Sequence, residues 1–333
     1  MRYNPALDGL RAVSIIAVVL FHCGIAGFQG GFVGLDVFFV LSGFLITSLL
    51  AAEHRGGGIA IARFYARRAL RLYPTLLLML ATYLVLAPFF WPTHDAWGSA
   101  ARAAFYVMDY TMAFSQASLP VGHTWSLGVE EKFYLLWPFA LPLLLRSRRP
   151  VAWLLLAFVA ATAWRYIAVA NWRWQQAYFS FDTRMSGILL GAIAALAPVR
   201  ISRFTLAIAC IALAITMAVP SLPKFDQARA VTLNLTLAEL SAFVLVCHAA
   251  RHTHSPALAW APMVLLGRLS YGIYIWHFPI LILLGGQDPW IKVAATVLSA
   301  LALAAICLRW IDAPVKRWRA RKALSPGAGA VAT

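Results

Sequence analysis

The sequence predicts an all-α, polytopic integral membrane protein with about ten transmembrane helices, and three observations carry that prediction. Of 333 residues, 62% are hydrophobic and only 12% charged, against roughly 45–50% and about 25% in a soluble globular chain. The mean hydropathy is +0.76, and the apolar residues gather into runs of about 20, the length an α-helix needs to cross ~30 Å of hydrocarbon. The third observation is charge placement. The 28 Lys and Arg against 12 Asp and Glu give a net charge of +16, and the basic residues cluster between alternate runs, as the positive-inside rule requires.

Spans are predicted near 10–27, 31–51, 74–91, 126–145, 150–169, 184–199, 203–220, 231–250, 257–285 and 291–309. The first holds Arg11 and His22. Eleven steps of about 100° bring both to one helix face about 16 Å apart, a cation toward one end and an imidazole toward the other. The second opens with Asp36 and runs through Ser42-Gly43-Phe44. Before the third, Arg63 to Pro74 reads as an amphipathic basic helix ending at the proline, with Arg68 and Arg71 on one face. Such a helix suits either an anionic-lipid surface or bidentate binding of phosphate by guanidinium groups.

The stretch 102–116 is short and carries Asp109, so a re-entrant or interfacial segment is expected there rather than a crossing. The fourth span follows Thr124-Trp125-Ser126 and carries Glu130, with Tyr134 one turn below on the same face; Glu131 and Lys132 are expected to pair with each other. At the sixth, Asp182 and Arg184 read most simply as a local ion pair, with contact to the acceptor as the alternative, and Gly187-xxx-Gly191 as a helix-packing motif. The seventh begins at Arg203, counted with Arg200 among the cytoplasmic basic residues, and the eighth carries Glu239 in mid-span, either a hydrogen-bonded structural acid or a cavity liner. The ninth contains Arg268 through Pro279, including His277, read as a structural hydrogen-bonding histidine or, alternatively, a second catalytic imidazole.

With the N-terminus inside, the cytoplasmic segments hold 17 Lys and Arg and the outer loops hold 4, namely Arg102, Arg173, Lys224 and Arg229. Ten helices with both the N- and C-termini cytoplasmic satisfy that bias. Residues 1–315 then form one transmembrane domain and 316–333 a basic, then Gly/Ala-rich, cytoplasmic tail. The net positive charge is read as orientation, with no nucleic-acid partner. The four cysteines lie in apolar stretches with no CxxC spacing, so neither a disulfide nor a metal site is expected. His248, His252 and His254 at a helix exit read as a solvated loop. Arg11 interrupts the first apolar run and no A-x-A site follows, so the first helix is expected to stay uncleaved.

A charge at mid-bilayer costs at least ~2.5–3.5 kcal/mol, so each one needs a task. His22, Asp36 and Glu130 are expected in the outer half, where either carboxylate could orient the imidazole as a general base.

At these residues the chain resembles the membrane-bound acyltransferase 3 family. The matches are Leu7-Asp8-Gly9-Leu10-Arg11 with His22, Gly31 to Asp36 through Ser42-Gly43-Phe44, Arg68-Ala69-Leu70-Arg71, Trp125 to Pro138, and Ser270 to His277. They stand in order over nearly the whole chain. The resemblance implies transfer of an acyl group, usually acetyl, from cytoplasmic acyl-CoA to a hydroxyl of an extracytoplasmic or lipid-linked sugar or polysaccharide, at a bacterial inner membrane. It implies acyl-CoA as donor substrate and no permanently bound cofactor. By similarity, Arg11 and His22 match the family's essential Arg–His pair, Arg68 and Arg71 its CoA-engaging RxxR motif, and Glu130 the acid of its SLxxE block. Lys132 stands where glutamine is expected, and a stand-alone form without an SGNH-hydrolase domain is expected. The proposed chemistry has acyl-CoA phosphates near Arg68 and Arg71, Arg11 steadying the donor, and His22 as base with Asp36 or Glu130 behind it. A covalent acyl intermediate on a histidine or a serine, with Ser42, Ser126 and Ser270 as the serine candidates, is the mechanistic rival. An exporter without acyl transfer, or a scaffold of a polysaccharide-synthesis complex, are the rivals in function.

Overall fold

The computed structural model describes residues 3–115, 120–197, 199–219 and 227–314. The expected tail at 316–333, together with Arg2 and Lys224, lies outside the described residues. Among the described residues the fold is all-helical. The order is α1 (Pro5–His22), α2 (Gly34–Arg55), α3 (Ile61–Phe90), α4 (Ala96–Ala104), α5 (Met108–Phe114), α6 (Trp125–Arg146), α7 (Pro150–Asn171), α8 (Trp174–Phe179), α9 (Phe181–Leu196), α10 (Arg203–Ala218), α11 (Gln227–Arg229), α12 (Leu235–Arg251), α13 (Ala261–Leu284) and α14 (Pro289–Cys307). A π-helical stretch, Ala230–Asn234, joins α11 to α12.

Eight helical segments are long and apolar enough to cross a membrane. The other two predicted spans fall on α6, which carries Glu130, Glu131 and Lys132, and on α10, which has 16 residues. The described residues of the segment 102–116 contribute the end of α4 and the whole of α5, helices of 9 and 7 residues. At 1.5 Å per residue neither can cross a bilayer.

Two boundaries differ from the sequence reading, each for a local reason. Helix α1 runs Pro5–His22 rather than 10–27, because Asn4 caps it by accepting from the Ala6 amide at 3.0 Å and Pro5 starts its first turn. Gly24 and Gly27, at φ +77° and +83°, turn the chain away at the other end. His22 is therefore the last residue of α1. Helix α3 continues through Pro74 instead of ending there. Pro74 withdraws one N–H from the helix ladder, and Tyr271 of α13 braces the same turn by donating to the Leu72 carbonyl at 2.7 Å.

Helix α2 lies at the centre, with 72% of its apolar window buried by protein, whereas α7 and α14 stand at the periphery with 22%. The lipid-facing character of the outside shows in Val85, Phe89, Phe204 and Leu298, all more than two-thirds exposed. Helices α2 and α9 touch backbone to backbone. A Cβ on Gly43 would lie 1.9 Å from the Ile188 oxygen, and one on Gly191 2.0 Å from the Val40 oxygen, so only glycine fits. Gly9 and Gly267 do the same where α1 meets α13 and the chain just before it. These approaches bring α1, α2, α6 and α13 together around the site.

Candidate functional site

Two cavities lie back to back inside the bundle. The first, ≈ 130 Å³, is lined by Arg11 of α1, Ser42 of α2, Arg68 and Arg71 of α3, Glu130 and Tyr134 of α6, and Arg268 and Ser270 of α13. Arg68 donates to Glu131 at 2.9 Å, and its guanidinium lies 3.5 Å from the centre of the Tyr134 ring. Arg11 is held by Asp8, 3.2 Å away and one turn earlier. Arg71 and Arg268, both solvent-exposed, form no ion pair among the described residues. Glu130 accepts from Ser42 Oγ at 2.9 Å and from the Tyr134 hydroxyl at 3.3 Å.

The second cavity, ≈ 280 Å³, is lined by His22, His123, Met112, Gly122, Leu35 and eight aromatic residues, including Phe32, Trp125, Trp174, Tyr178 and Phe278. Leu35 and Tyr274 line both cavities and form the wall between them. The wall is tied in place. The Tyr274 hydroxyl donates to the His123 carbonyl at 2.5 Å, and, with its one proton used there, it accepts from Ser126 Oγ at 2.6 Å.

Helix α1 serves both cavities, Arg11 facing the first and His22 the second, as their common helix face predicts. Arg68 and Arg71 likewise meet in one cavity. The acids do not go where the sequence reading put them. No hydrogen bond or ion pair joins Asp36 or Glu130 to His22 among the described residues. Asp36, fully buried, faces Arg184 of α9 at 3.0 Å, and Glu130 belongs to the arginine cavity. His22 instead has His277 beside it, Nδ1 to Nε2 at 3.2 Å.

The expected local pairs are corrected for the same reason, that side chains two apart or adjacent on a helix point to different faces. Arg184 pairs across helices with Asp36 and lies 5.1–5.7 Å from the rings of Phe39, Trp125 and Tyr178, while Asp182 accepts from Trp164 Nε1 at 2.6 Å. Glu131 goes to Arg68. Lys132 donates at 2.7 Å both to buried Asp109 of α5 and to the carbonyl of Tyr106, a residue at φ +55°. The lysine standing in place of glutamine thus ties the short α4–α5 segment to α6. Glu239 is a structural acid: Arg165 binds it bidentately at 2.7 and 3.0 Å and Ser186 donates at 2.6 Å, with arginine and glutamate both fully buried.

Sequence reading passed over His123. Pro279 has no N–H to return to the Ile275 carbonyl, and His123 Nε2 meets that carbonyl at 3.1 Å. The signal was a histidine two residues before Trp125 and a proline inside an apolar helix, which become a pair only when α6 and α13 are side by side.

A family profile described as an acyltransferase domain, of acyltransferase type 3, matches residues 4–309. The O-acetyltransferase OatA of Staphylococcus aureus is 30% identical over 355 aligned positions, covering 95% of this chain and 58% of that protein. The peptidoglycan O-acetyltransferase OatA of Listeria monocytogenes is 30% identical over 356 positions, covering 95% of this chain and 56% of that protein. The chain thus spans a little over half the length of these curated relatives. No solved structure matches it significantly. With its helical bundle and motifs accounted for over nearly the whole length of that profile, this chain belongs to the acyltransferase 3 family and is a polytopic membrane protein.

Proposed function

We propose that the chain moves an acetyl group from cytoplasmic acyl-CoA to a hydroxyl of a sugar polymer or lipid-linked sugar on the far side of a bacterial inner membrane. The observation that carries this reading is the pair of cavities sharing one wall, the first rich in guanidinium groups and the second in imidazoles and aromatic rings. The positive-inside bias turns the arginine cavity toward the cytoplasm, where acyl-CoA is. Arg71 and Arg68 suit its phosphates, with Arg268 at the same mouth and Arg11 deeper. The aromatic faces of the second cavity suit the C–H faces of a sugar ring, and the relatives named for peptidoglycan O-acetylation favour a glycan acceptor.

In this reading the pantetheine arm reaches the Leu35–Tyr274 wall and presents the thioester carbonyl to the acceptor. His22 takes the hydroxyl proton as the oxygen attacks that carbonyl. The tetrahedral adduct collapses by breaking the C–S bond, and His22 returns the proton to the departing thiolate. Ser42 Oγ donates to Glu130 and Ser126 Oγ to Tyr274, and single-turnover labelling that trapped an acyl-serine would overturn direct transfer. Glu130 holds Ser42 and Tyr134 in the donor cavity. Asp36 holds Arg184 behind the aromatic wall of the acceptor cavity.

Transfer from radiolabelled acetyl-CoA by inverted membranes tests this. Label should move into glycan or lipid-linked sugar and fall at least about a hundredfold in His22→Ala at matched expression. Equal labelling in both would remove His22 from the chemistry, and no labelling in either would remove acetyl-CoA as donor.

A further inference from the structure

The hydrogen bonds around His22 have directions that follow from counting protons. Nδ1 of His277 lies 2.7 Å from the Tyr274 carbonyl. A carbonyl only accepts, so this nitrogen carries the proton of the neutral ring and Nε2 is left with its lone pair. That lone pair is 3.2 Å from Nδ1 of His22. His22 must therefore donate there, which places its own single proton on Nδ1 and leaves its Nε2 unprotonated. His277 is fully buried, and its ring packs 5.1 to 5.5 Å, centroid to centroid, from His22, Tyr274 and His123. It has little freedom to turn over.

We propose that His277 is a positioning residue: it fixes the Nδ1–H tautomer of His22 and thereby presents Nε2 of His22 to the acceptor hydroxyl. This rests on the reading of His22 as the base. In a carboxylate–histidine pair the partner of the base is an anion; here it is a neutral imidazole whose other nitrogen is pinned by a main-chain carbonyl. When Nε2 takes the hydroxyl proton, His22 becomes a cation and its hydrogen bond to His277 becomes charge-assisted. The proton leaves again through Nε2 to the thiolate, so His277 begins and ends the cycle unchanged. His123 shows what the opposite setting looks like. Its Nε2–H goes to the Ile275 carbonyl, and its Nδ1 has no hydrogen-bond partner among the described residues.

The direct test is ¹⁵N NMR of histidine-labelled protein in nanodiscs, with His22 assigned by substitution. The expected result is an Nδ1–H tautomer at His22 in the wild type, lost in His277→Leu. The Leu variant should lower kcat about a hundredfold with KM for acyl-CoA within about twofold. His277→Gln, whose carboxamide oxygen can accept from Nδ1–H, should regain about tenfold of that loss. An Nε2–H tautomer at His22 in the wild type would overturn the proposal, and this measurement stands even where a variant fails to fold. So would an Nδ1–H tautomer that survives in His277→Leu, since the Val18 carbonyl, one turn back on α1 and also near the ring, would then be sufficient. Full activity in His22→Ala would instead remove the base assignment on which the proposal rests.

Discussion

Arg165 and Arg71 carry the same guanidinium, and the bundle treats them in opposite ways. Arg165 is fully buried between α7 and α12 with both Glu239 oxygens, Ser186 and Thr236 around it. Asp36 and Arg184 form a second such pair between α2 and α9. Arg71 faces the open mouth of a cavity with Arg11, Arg68 and Arg268 for company and no ion pair of its own among the described residues. Of these four, Arg11 answers to Asp8 and Arg68 to Glu131, which leaves Arg71 and Arg268 as the cations with no ion pair among the described residues. The comparison teaches that fully buried, paired charges here hold helices together, whereas Arg71 and Arg268 keep their guanidinium groups uncommitted at the cavity that the proposed function gives to an anionic donor.

Breaking a paired charge should have the largest effect, and on stability. Glu239→Leu strands Arg165 in the interior and should cost about 3–5 kcal/mol, read as a fall in the thermal midpoint of the protein in detergent. Adding Arg165→Met to it should recover much of that loss, because a buried pair replaced by apolar groups of similar volume is close to neutral. A double variant no better than the single would show that the pair does more than satisfy itself. Asp36→Leu, which strands Arg184 beside Trp125 and Tyr178, should follow the same pattern at the acceptor cavity.

Substituting a cavity cation should leave stability alone and weaken donor binding. Arg71→Ala removes charge-assisted bonds worth about 1.5–3 kcal/mol, so KM for acyl-CoA should rise about 10- to 150-fold, while the thermal midpoint moves by less than a degree or two. A large loss of stability in this variant would erase the distinction between the two kinds of arginine. The smallest effect is expected at His123. Substituting Phe keeps the ring and removes one neutral hydrogen bond, about 1 kcal/mol, so acceptor KM should rise about fivefold with acyl-CoA KM unchanged.

Much of the site was legible before any helix was placed. Arg11 and His22 share a face because 100° per residue leaves them no choice, and Arg68 and Arg71 meet for the same reason. What could not be read was partnership. Asp182 and Arg184 looked like a pair because they are close in sequence, but each finds its partner on another helix. His277 looked structural until α13 was laid against α1, which brings it to a histidine 255 residues away. His123 and Pro279 stand 156 residues apart in sequence, and only the fold sets the histidine against the carbonyl that the proline leaves open.

The sequence alone determined the membrane-embedded helical fold class, the approximate spans, and the helix faces that carry charge, because apolar length and the 3.6-residue period act locally. Only the tertiary structure decided which carboxylate meets which arginine, that one wall of Leu35 and Tyr274 divides two cavities, and that the neighbour of His22 is an imidazole. Those depend on which helices touch and at what height. Backbone contacts at Gly43, Gly191, Gly9 and Gly267 set that packing, and no single helix contains the information.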